Sequence, residues 1–385
     1  GNYDHLSAYG IVSDYYEYRL LPNAKPELVA KFKKAIEKNL TFKSFYWLPQ
    51  PDGTFTCPNA LNCRTNALLC YPSYPGDYMA YPEFALGASR YAIIKDPLRG
   101  GGDAATFSHL ANNDAWALRL LKDSLPKKDA AFTESANVGG HWTWEIYRAY
   151  NLPATAKPAP LPIDAVTGAW TLPGQFAWKR GPLYGLVFSD VVGAQGKLAG
   201  RFGGAPLDLW TRGTGSVVIS FRNAKYNKVE SPADLTFSCL AGELADGKFF
   251  NTGTERSQAQ WITEGKVYEV RTASPDLQGD IIWRYELRDD ETILSVKVQR
   301  AKKLKQAYLN LPILQREKDA VQTLDTAKGT FTFTKGASSM TLSWPSELTA
   351  TLETPVKTST SDDVRCLRIA LPQEGFPLEI HIKAQ

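Results

Sequence analysis

Residues 281–299 read IIWRYELRDDETILSVKVQ and contain two apolar stretches on either side of a charged turn. Ile281, Trp283 and Tyr285 fall two apart, and the same spacing returns after the charged segment RDDE. Because successive side chains of a β-strand point to opposite faces, a period of two predicts strands with one buried face. Two such stretches joined by a short polar segment predict an antiparallel hairpin.

The same pattern recurs through the C-terminal half of the chain. The stretches SVVISF, LTFSCL, VYEVRT, GTFTFTKG, MTLSW, CLRIAL and LEIHIKA alternate in the same way, with the turn signals ADGK and PQEG between some of them. Alternation over such a length predicts an antiparallel β-sandwich of two packed sheets. His381, between two isoleucines of the last stretch, is predicted to face solvent or a groove.

Residues 1–152 show a helical period instead. In PELVAKFKKAIEKNL, Leu28 and Phe32 fall four apart, the spacing continues, and lysines occupy the other face. The stretches IVSDYYEYRLL, YPEFALGASRYAII, NNDAWALRLLKDSL and HWTWEIYRAYNL predict four more helices. We therefore predict an α+β multidomain protein with a helical domain at 1–152, a Pro-rich linker at 153–163 and an antiparallel β-sandwich domain at 164–385.

The composition is that of a globular protein, with 43% hydrophobic, 22% charged and 12% aromatic residues. The net charge of +4 is small and the Lys and Arg residues are dispersed, which disfavours nucleic acid as a partner. No stretch reaches the roughly 18 apolar residues of a membrane span, so no membrane partner is expected. The ten Trp and eighteen Tyr residues could fill a β-rich core or stack on sugar rings.

The chain contains five cysteines, of which Cys57, Cys63 and Cys70 lie together in CPNALNCRTNALLC. This spacing is too loose for a zinc knuckle, and no histidine is near. We therefore expect a local disulfide, and an odd count leaves at least one thiol unpaired. Together with the sequon at Asn39, the disulfide predicts a secreted or periplasmic protein.

The first ten residues read GNYDHLSAYG and place a G-x-Y turn and a Tyr-Gly pair ahead of a helical stretch. This pattern resembles the turn before the catalytic tyrosine in the heparinase II/III and alginate lyase group of polysaccharide lyases. The stretches PDGTFTCPNALNCRT and ADLTFSCLAGELADGKFFNTGT are also similar to segments of that group. The resemblance implies the helical part of an (α/α) toroid followed by a β-sandwich. It also implies cleavage of an acidic, uronate-containing polysaccharide or oligosaccharide by β-elimination.

The resemblance assigns Tyr9 as the base or acid of the elimination and His5 as a base or its hydrogen-bond partner. Arg64 and Asn62 in NCRT are expected to neutralise the substrate carboxylate, since a guanidinium binds it through two hydrogen bonds and an amide adds a donor. Each has a structural alternative, such as a buried ring for Tyr9 or a loop-bracing role for Arg64. Further candidates for substrate binding are Tyr3, His109, His141 and Trp142, of which the two histidines lie near helix starts, where structural roles are more frequent.

The sequence departs from the pattern of the group at two places. Pro232 stands in SPAD where the group has a histidine, so we expect no cofactor and no metal site of the family type. The group also has an asparagine-histidine segment upstream of the tyrosine motif, whereas this sequence begins at the motif. We therefore expect that an upstream segment or a separate chain completes the toroid.

Two other functions remain open at this point. An inverting glycoside hydrolase needs two carboxylates that face each other across a cleft. A non-catalytic carbohydrate-binding protein would use the same tyrosines and tryptophans only to hold sugar. The candidate carboxylates for the hydrolase are Asp4, Asp14, Glu17, Asp77 and Glu83.

Overall fold

The structure is a computed structural model and describes part of the chain. The chain divides into two compact units, of which the second consists of Gln50–Asp52, Pro58–Ala67 and Thr167–Gln385 and the first of the remainder. The described residues are 18, 21–32, 34, 48–51, 55–56, 91–95, 104–108, 166–172, 175–189, 203–220, 238–252, 257–300, 302–315, 319–357, 363–372 and 377–385.

In the first unit, the described residues form one helix and four short strands. The helix includes residues 26–32, where Leu28 and Phe32 are half-buried and the ring of Tyr18 lies 5.9 Å from that of Phe32. The lysines at 31 and 34 are exposed, as the predicted amphipathic pattern requires. The strands are β1 (Leu48–Pro49), β2 (Phe55–Thr56), β3 (Tyr91–Lys95) and β4 (Ala104–Ser108), which pair as β1 with β2 and β3 with β4.

The predicted fold class, a partial helical toroid followed by a β-sandwich, is wrong. Most of the described residues belong to antiparallel strands, and among them only residues 18, 26–32 and 34 are helical. Tyr91–Lys95 forms β3 although residues 81–94 were predicted as a helix. The physical reason is that Ile93 and Ile94 are β-branched and pair with Thr106 and Ala105, so cross-strand pairing overrides the local helical pattern. The predicted domain boundaries are not tested and stay predictions.

The second unit contains two antiparallel sheets, which we call sheet I and sheet II. Sheet I has eleven strands: β5 (Gly168–Leu172), β6 (Gln175–Arg180), β7 (Leu183–Phe188), β8 (Pro206–Thr211), β9 (Gly215–Ile219), β10 (Cys239–Leu244), β11 (Phe249–Asn251), β16 (Leu304–Leu314), β20 (Ala350–Leu352), β21 (Val356–Lys357) and β22 (Asp363–Ala370). Sheet II has eight strands: β12 (Ser257–Thr263), β13 (Val267–Ser274), β14 (Gly279–Leu287), β15 (Thr292–Arg300), β17 (Val321–Asp325), β18 (Thr330–Lys335), β19 (Ser338–Ser343) and β23 (Leu378–Ala384).

Two strands in this unit make pairings between distant parts of the sequence. The long strand β16 pairs with β10 and β9 and also with β22, so it joins separate parts of sheet I. The last strand, β23, lies between β15 and β19 in sheet II. This insertion places His381 opposite Ile293 of β15 and Ser343 of β19. The alternation predicted around residues 281–299 is confirmed as the β14–β15 hairpin.

An aromatic cluster joins the two sheets at the centre of the shared core. Phe176 of sheet I stacks on Tyr268 of sheet II, with ring centroids 4.1 Å apart. Trp178, the next inward-facing residue of β6, lies 5.4 Å from the ring of Tyr285. The hydroxyl of Tyr285 donates a hydrogen bond of 2.6 Å to the carbonyl oxygen of Gly204. Aromatic pairs of this kind contribute about 0.5–1.5 kcal/mol each beyond the burial of their area.

Two glycines let the backbone of sheet I approach sheet II closely. Gly203 and Gly204 both have positive φ angles, of 57° and 85°. A Cβ on Gly204 would lie 2.6 Å from Cδ1 of Trp283, whereas real Cβ contacts are longer. Thr272 of β13 donates a hydrogen bond of 2.6 Å to the carbonyl oxygen of Gly203. The turn before β8 is therefore held against sheet II through its backbone.

We expect Gly185→Ala to destabilise the protein by about 1–3 kcal/mol, because a Cβ on Gly185 would collide with the indole of Trp178 on the neighbouring strand. Denaturant unfolding of the two proteins measures the difference. The cost should fall in a Trp178→Leu background, where the colliding ring is absent. An equal cost in both backgrounds would show that the collision is not its cause.

Candidate functional site

The residues predicted from the sequence as catalytic or substrate-binding lie outside the described part of the chain. Their predicted roles therefore stay predictions. The same holds for the carboxylates of the hydrolase alternative and for Pro232, which replaces the histidine of the lyase pattern. The residues concerned are Tyr9, His5, Arg64, Asn62, Tyr3, His109, His141 and Trp142.

The described residues of the second unit enclose a pocket of ≈ 380 Å³, which we call the Glu291 pocket. Its wall is formed by three chain segments that are far apart in sequence. They are the turn between β6 and β7, with Arg180, Pro182 and Leu183; the turn between β14 and β15, with Asp289, Asp290 and Glu291; and the end of β23, with Lys383, Ala384 and Gln385. A volume of this size lies in the range of small-molecule sites, about 300–1,000 Å³.

The β14–β15 turn and strand β23 bring the charged side chains together. The amide of Arg288 donates to the carbonyl oxygen of Glu291 at 2.9 Å and closes the turn. Because β23 pairs with β15 directly after this turn, His381 and Lys383 lie next to Glu291. These two residues are separated by one position, so their side chains point to the same face of sheet II.

Glu291 has a side chain only 9% exposed, and an arginine, a lysine and a histidine lie around its carboxylate. Nη1 of Arg288 donates to Oε1 at 3.0 Å, and Nδ1 of His381 lies 3.0 Å from Oε2. Nζ of Lys383 lies 3.6 Å from Oε2. Burial raises the pKa of Glu291, but His381, Lys383 and Arg288 outweigh it, so the pKa is lowered from its ordinary value. Glu291 is therefore ionised at neutral pH and already neutralised by its neighbours.

Arg180 lies at the opposite wall of the pocket and is less fully paired. Its Nη2 donates to the carbonyl oxygen of Gly265, in the β12–β13 turn, at 2.9 Å. Its Nε is buried and has no hydrogen-bond partner. Among the described residues, no carboxylate forms an ion pair with Arg180.

The pocket is suited to recognition more than to proton transfer. A general base works best with a pKa near the operating pH, whereas the pKa of Glu291 is lowered below that of an ordinary glutamate. The free hydrogen-bonding capacity lies in the donors of Arg180 and in the exposed carboxylates of Asp289 and Asp290. Such a set of separate donors and acceptors matches a ligand rich in hydroxyl groups.

Two tyrosines of the sandwich core are poor candidates for the base of a β-elimination. Burial raises the pKa of Tyr268 to about 12, and only a hydrogen bond with Ser189 works against it. Burial also raises the pKa of Tyr285 well above its ordinary value. A phenolate base needs the opposite shift, which nearby positive charge provides. These two rings therefore have a structural role.

Asp208 in β8 is a fully buried acid away from the pocket. Its Oδ2 accepts a hydrogen bond of 3.2 Å from Oγ of Ser216, whereas its Oδ1 has no hydrogen-bond partner. Gln50 accepts a bond of 2.9 Å from the amide of Ser216 and lies on the same side. Burial raises the pKa of Asp208 well above its ordinary value, and the Ser216 bond lowers it by less. Asp208 thus keeps its proton at pH values at which an exposed aspartate is ionised.

The described residues hold no group of three or more His, Cys, Asp or Glu side chains placed to bind a metal ion. Cys239 and Cys366 are buried and form no disulfide, and burial raises the pKa of Cys366 well above its ordinary value, so this thiol is protonated and unreactive. The predicted disulfide involves cysteines outside the described part. No described helix has the length and apolar character to cross a membrane.

Sequence reasoning did not single out this pocket. His381 was predicted to face solvent or a groove, and its side chain is 38% exposed beside Glu291. The segment RDDE was interpreted only as a turn, although its acidic residues line the pocket. No local signal marked Arg180, because its importance comes from the distant segments around it.

Comparisons with known proteins assign no family to the chain. No protein-family model and no curated protein matches it. Among solved structures, the Slr1438 protein from Synechocystis sp. is 10% identical, with a TM-score of 0.37 over 57% of this chain and 98% of that chain. A Streptomyces coelicolor chondroitin AC lyase in complex with chondroitin sulphate is 11% identical, with a TM-score of 0.34 over 62% and 35%. A point mutant of that lyase is 9% identical, with a TM-score of 0.47 over 99% and 52%. These likenesses are too weak to assign a function.

We expect Glu291→Gln to lower the free energy of unfolding by about 1–3 kcal/mol at neutral pH, because an amide lacks the negative charge that pairs with Arg288 and Lys383. Because the folded-state pKa of Glu291 is lowered, the stabilisation by its carboxylate is fully present above the pKa of unfolded glutamate, about 4.3. It is lost as the pH falls through the folded-state pKa. The difference between the two proteins should therefore shrink as the pH falls below about 4.3 and through the folded pKa, as denaturant unfolding across pH can measure.

Glu286→Gln is the matched control, since Glu286 pairs only with Arg288 and its side chain is 38% exposed. Exposed pairs contribute about 0–1 kcal/mol, so this variant should stay close to the wild type. If Glu291→Gln cost as much at pH 3 as at pH 7, its effect would not come from the charge of Glu291.

We expect Asp208→Asn to show the opposite pH dependence. A raised pKa in the folded state gives stability that is present below the pKa of unfolded aspartate, about 3.9, and lost as the pH rises through the folded pKa. Relative to the wild type, Asp208→Asn should therefore gain stability as the pH rises from about 4 towards the folded pKa of Asp208. Unfolding at several pH values measures this gain, with Asp280→Asn, at an exposed ion pair with Arg271, as the control. A pH-independent difference would contradict a buried protonated acid.

Proposed function

We propose that the protein is a polysaccharide lyase that cleaves an acidic, uronate-containing glycan by β-elimination. The observation that carries the proposal is the stretch Gly1–Gly10, whose tyrosines and turn resemble the catalytic motif of heparinase II/III-like and alginate lyases. The polar lining of the Glu291 pocket supports a hydroxyl-rich ligand class. Secretion or transport to the periplasm, where such polymers are degraded, is part of the same proposal.

The proposed reaction needs three groups around one uronate unit. A base removes the proton at C5, the electron pair forms the C4–C5 double bond, and the C4–O bond breaks. The expelled glycosidic oxygen then takes a proton from an acid. Because the C5 proton is weakly acidic beside a charged carboxylate, that carboxylate must be neutralised by a cation or by donors.

Residues in the N-terminal part of the sequence supply each of these roles in the proposal. Tyr9 acts as base or acid, and His5 acts as the second group or orients Tyr9. Arg64 neutralises the carboxylate through two hydrogen bonds, and Asn62 adds a donor. No metal is needed, because a guanidinium and an amide stabilise the same negative charge.

We expect Tyr9→Phe to reduce elimination at least about 100-fold, since the phenyl ring keeps the shape but cannot transfer a proton. The assay incubates the protein with alginate, glucuronan, heparan and chondroitin and follows the ultraviolet absorbance of the unsaturated product. Tyr18→Phe is the matched control, because the hydroxyl of Tyr18 only accepts a hydrogen bond of 3.1 Å from the amide of Lys25. This control should retain full activity.

The same incubations separate the other two functions. New reducing ends without ultraviolet absorbance would indicate a hydrolase and contradict the lyase. Binding without any new ends would indicate a carbohydrate-binding protein. Full elimination activity in Tyr9→Phe would show that Tyr9 has no part in the reaction.

A further inference from the structure

The Glu291 pocket contains an arginine whose charge is not balanced within the described residues. Arg180 is the third inward-facing residue of β6, after Phe176 and Trp178, and lies at the end of the core. Among the described residues, its guanidinium has one hydrogen bond, to the neutral carbonyl of Gly265 at 2.9 Å. An arginine has five N–H donors, so several remain free for a ligand. A half-buried cation without an anion is costly unless a ligand supplies one.

The remaining charges in the pocket restrict the charge and the hydrogen-bonding groups of that ligand. Glu291 is neutralised by Arg288 and Lys383 and also contacts His381. Lys383 lies 3.6 Å from Glu291 and 3.9 Å from Asp290, so its charge is shared between two acids. The exposed carboxylate of Asp289 has no ion pair with any described residue. Besides the guanidinium of Arg180, the pocket therefore presents the exposed carboxylates of Asp289 and Asp290 as hydrogen-bond acceptors.

We propose that the Glu291 pocket binds one uronate unit of an acidic oligosaccharide. The carboxylate of the sugar pairs with the guanidinium of Arg180, and its hydroxyl groups donate to Asp289 and Asp290. Pro182 and Leu183 supply an apolar wall for the sugar ring. A ligand without hydroxyl groups, such as free phosphate, has no donors for Asp289 and Asp290 and should bind more weakly than the uronate.

This site goes beyond the proposed lyase activity and rests on it only for the class of polymer. None of its residues belongs to the tyrosine motif, and no proton transfer is assigned to it. It is a binding site that holds a segment of the glycan on the β-sandwich. Binding in the pocket is therefore measured separately from elimination.

The test is isothermal titration calorimetry with a glucuronan tetrasaccharide, using the full chain. The neutral tetrasaccharide made by reducing its carboxylates, and a sulfated neutral tetrasaccharide, are titrated in parallel. We expect Arg180→Gln to weaken binding of the uronate ligand at least about tenfold, since hydrogen bonds between charged groups are the stronger ones. Binding of the neutral ligand should be weak and unchanged by the substitution.

Two further variants keep the test decisive. Arg180→Lys retains the charge but not the planar pair of donors, and should weaken binding by less than Arg180→Gln. Arg271→Gln removes an exposed arginine paired with Asp280 and is the control for net charge, expected within about twofold of the wild type. Thermal unfolding of each variant shows that the fold is retained.

The proposal is overturned if Arg180→Gln and Arg271→Gln weaken binding equally, or if the neutral or sulfated ligand binds as tightly as the uronate. It is also overturned if the wild type binds no uronate ligand. Loss of elimination in Tyr9→Phe with intact calorimetric binding supports both proposals. If the wild type shows no elimination but Arg180→Gln still weakens uronate binding, the binding site is supported and the lyase proposal is rejected.

Discussion

The stacking of Phe176 on Tyr268, 4.1 Å between ring centroids, is the contact on which the sandwich depends. It joins sheet I to sheet II at the middle of one continuous core, and Trp178 and Tyr285 extend it along the strands. Because the two rings stack face to face, their thickness sets the distance between the sheets at this point. The backbone of Gly204 meets that distance because it has no Cβ, and it accepts a hydrogen bond from Tyr285.

The position of the Glu291 pocket follows from the same core, because two of its walls continue strands of that core. Two positions after Trp178 the inward side of β6 reaches the end of the apolar layer, and the residue there is Arg180. Its guanidinium donates a hydrogen bond to Gly265, in the turn between β12 and β13 of sheet II. It thus contacts the opposite sheet, as Phe176 does through Tyr268 deeper in the core. A few residues after Tyr285, the chain leaves β14 into the acidic turn that ends at Glu291. A shift of register in the aromatic layer would therefore move both walls of the pocket.

Strand positions were predictable where one face of the strand is buried. The alternation at 281–299 predicted the β14–β15 hairpin, because inward residues such as Trp283 must be apolar. The helical prediction was wrong for Tyr91–Ile94, because a period read over one segment cannot include the partner strand that pairs with Ile93 and Ile94. At the candidate site, His381 could be predicted as exposed, but its contact with Glu291 could not.

By itself the sequence determined which residues alternate, where the turns lie and that a charged segment follows Tyr285, since these follow from local side-chain chemistry. Only the tertiary structure decided that β23 enters between β15 and β19 and brings His381 and Lys383 to Glu291. It also decided that Arg180, more than a hundred positions before Glu291 in the chain, lines the same pocket. The physical reason is that strand pairing and burial act between residues far apart in sequence, and many partners satisfy the same local pattern equally well.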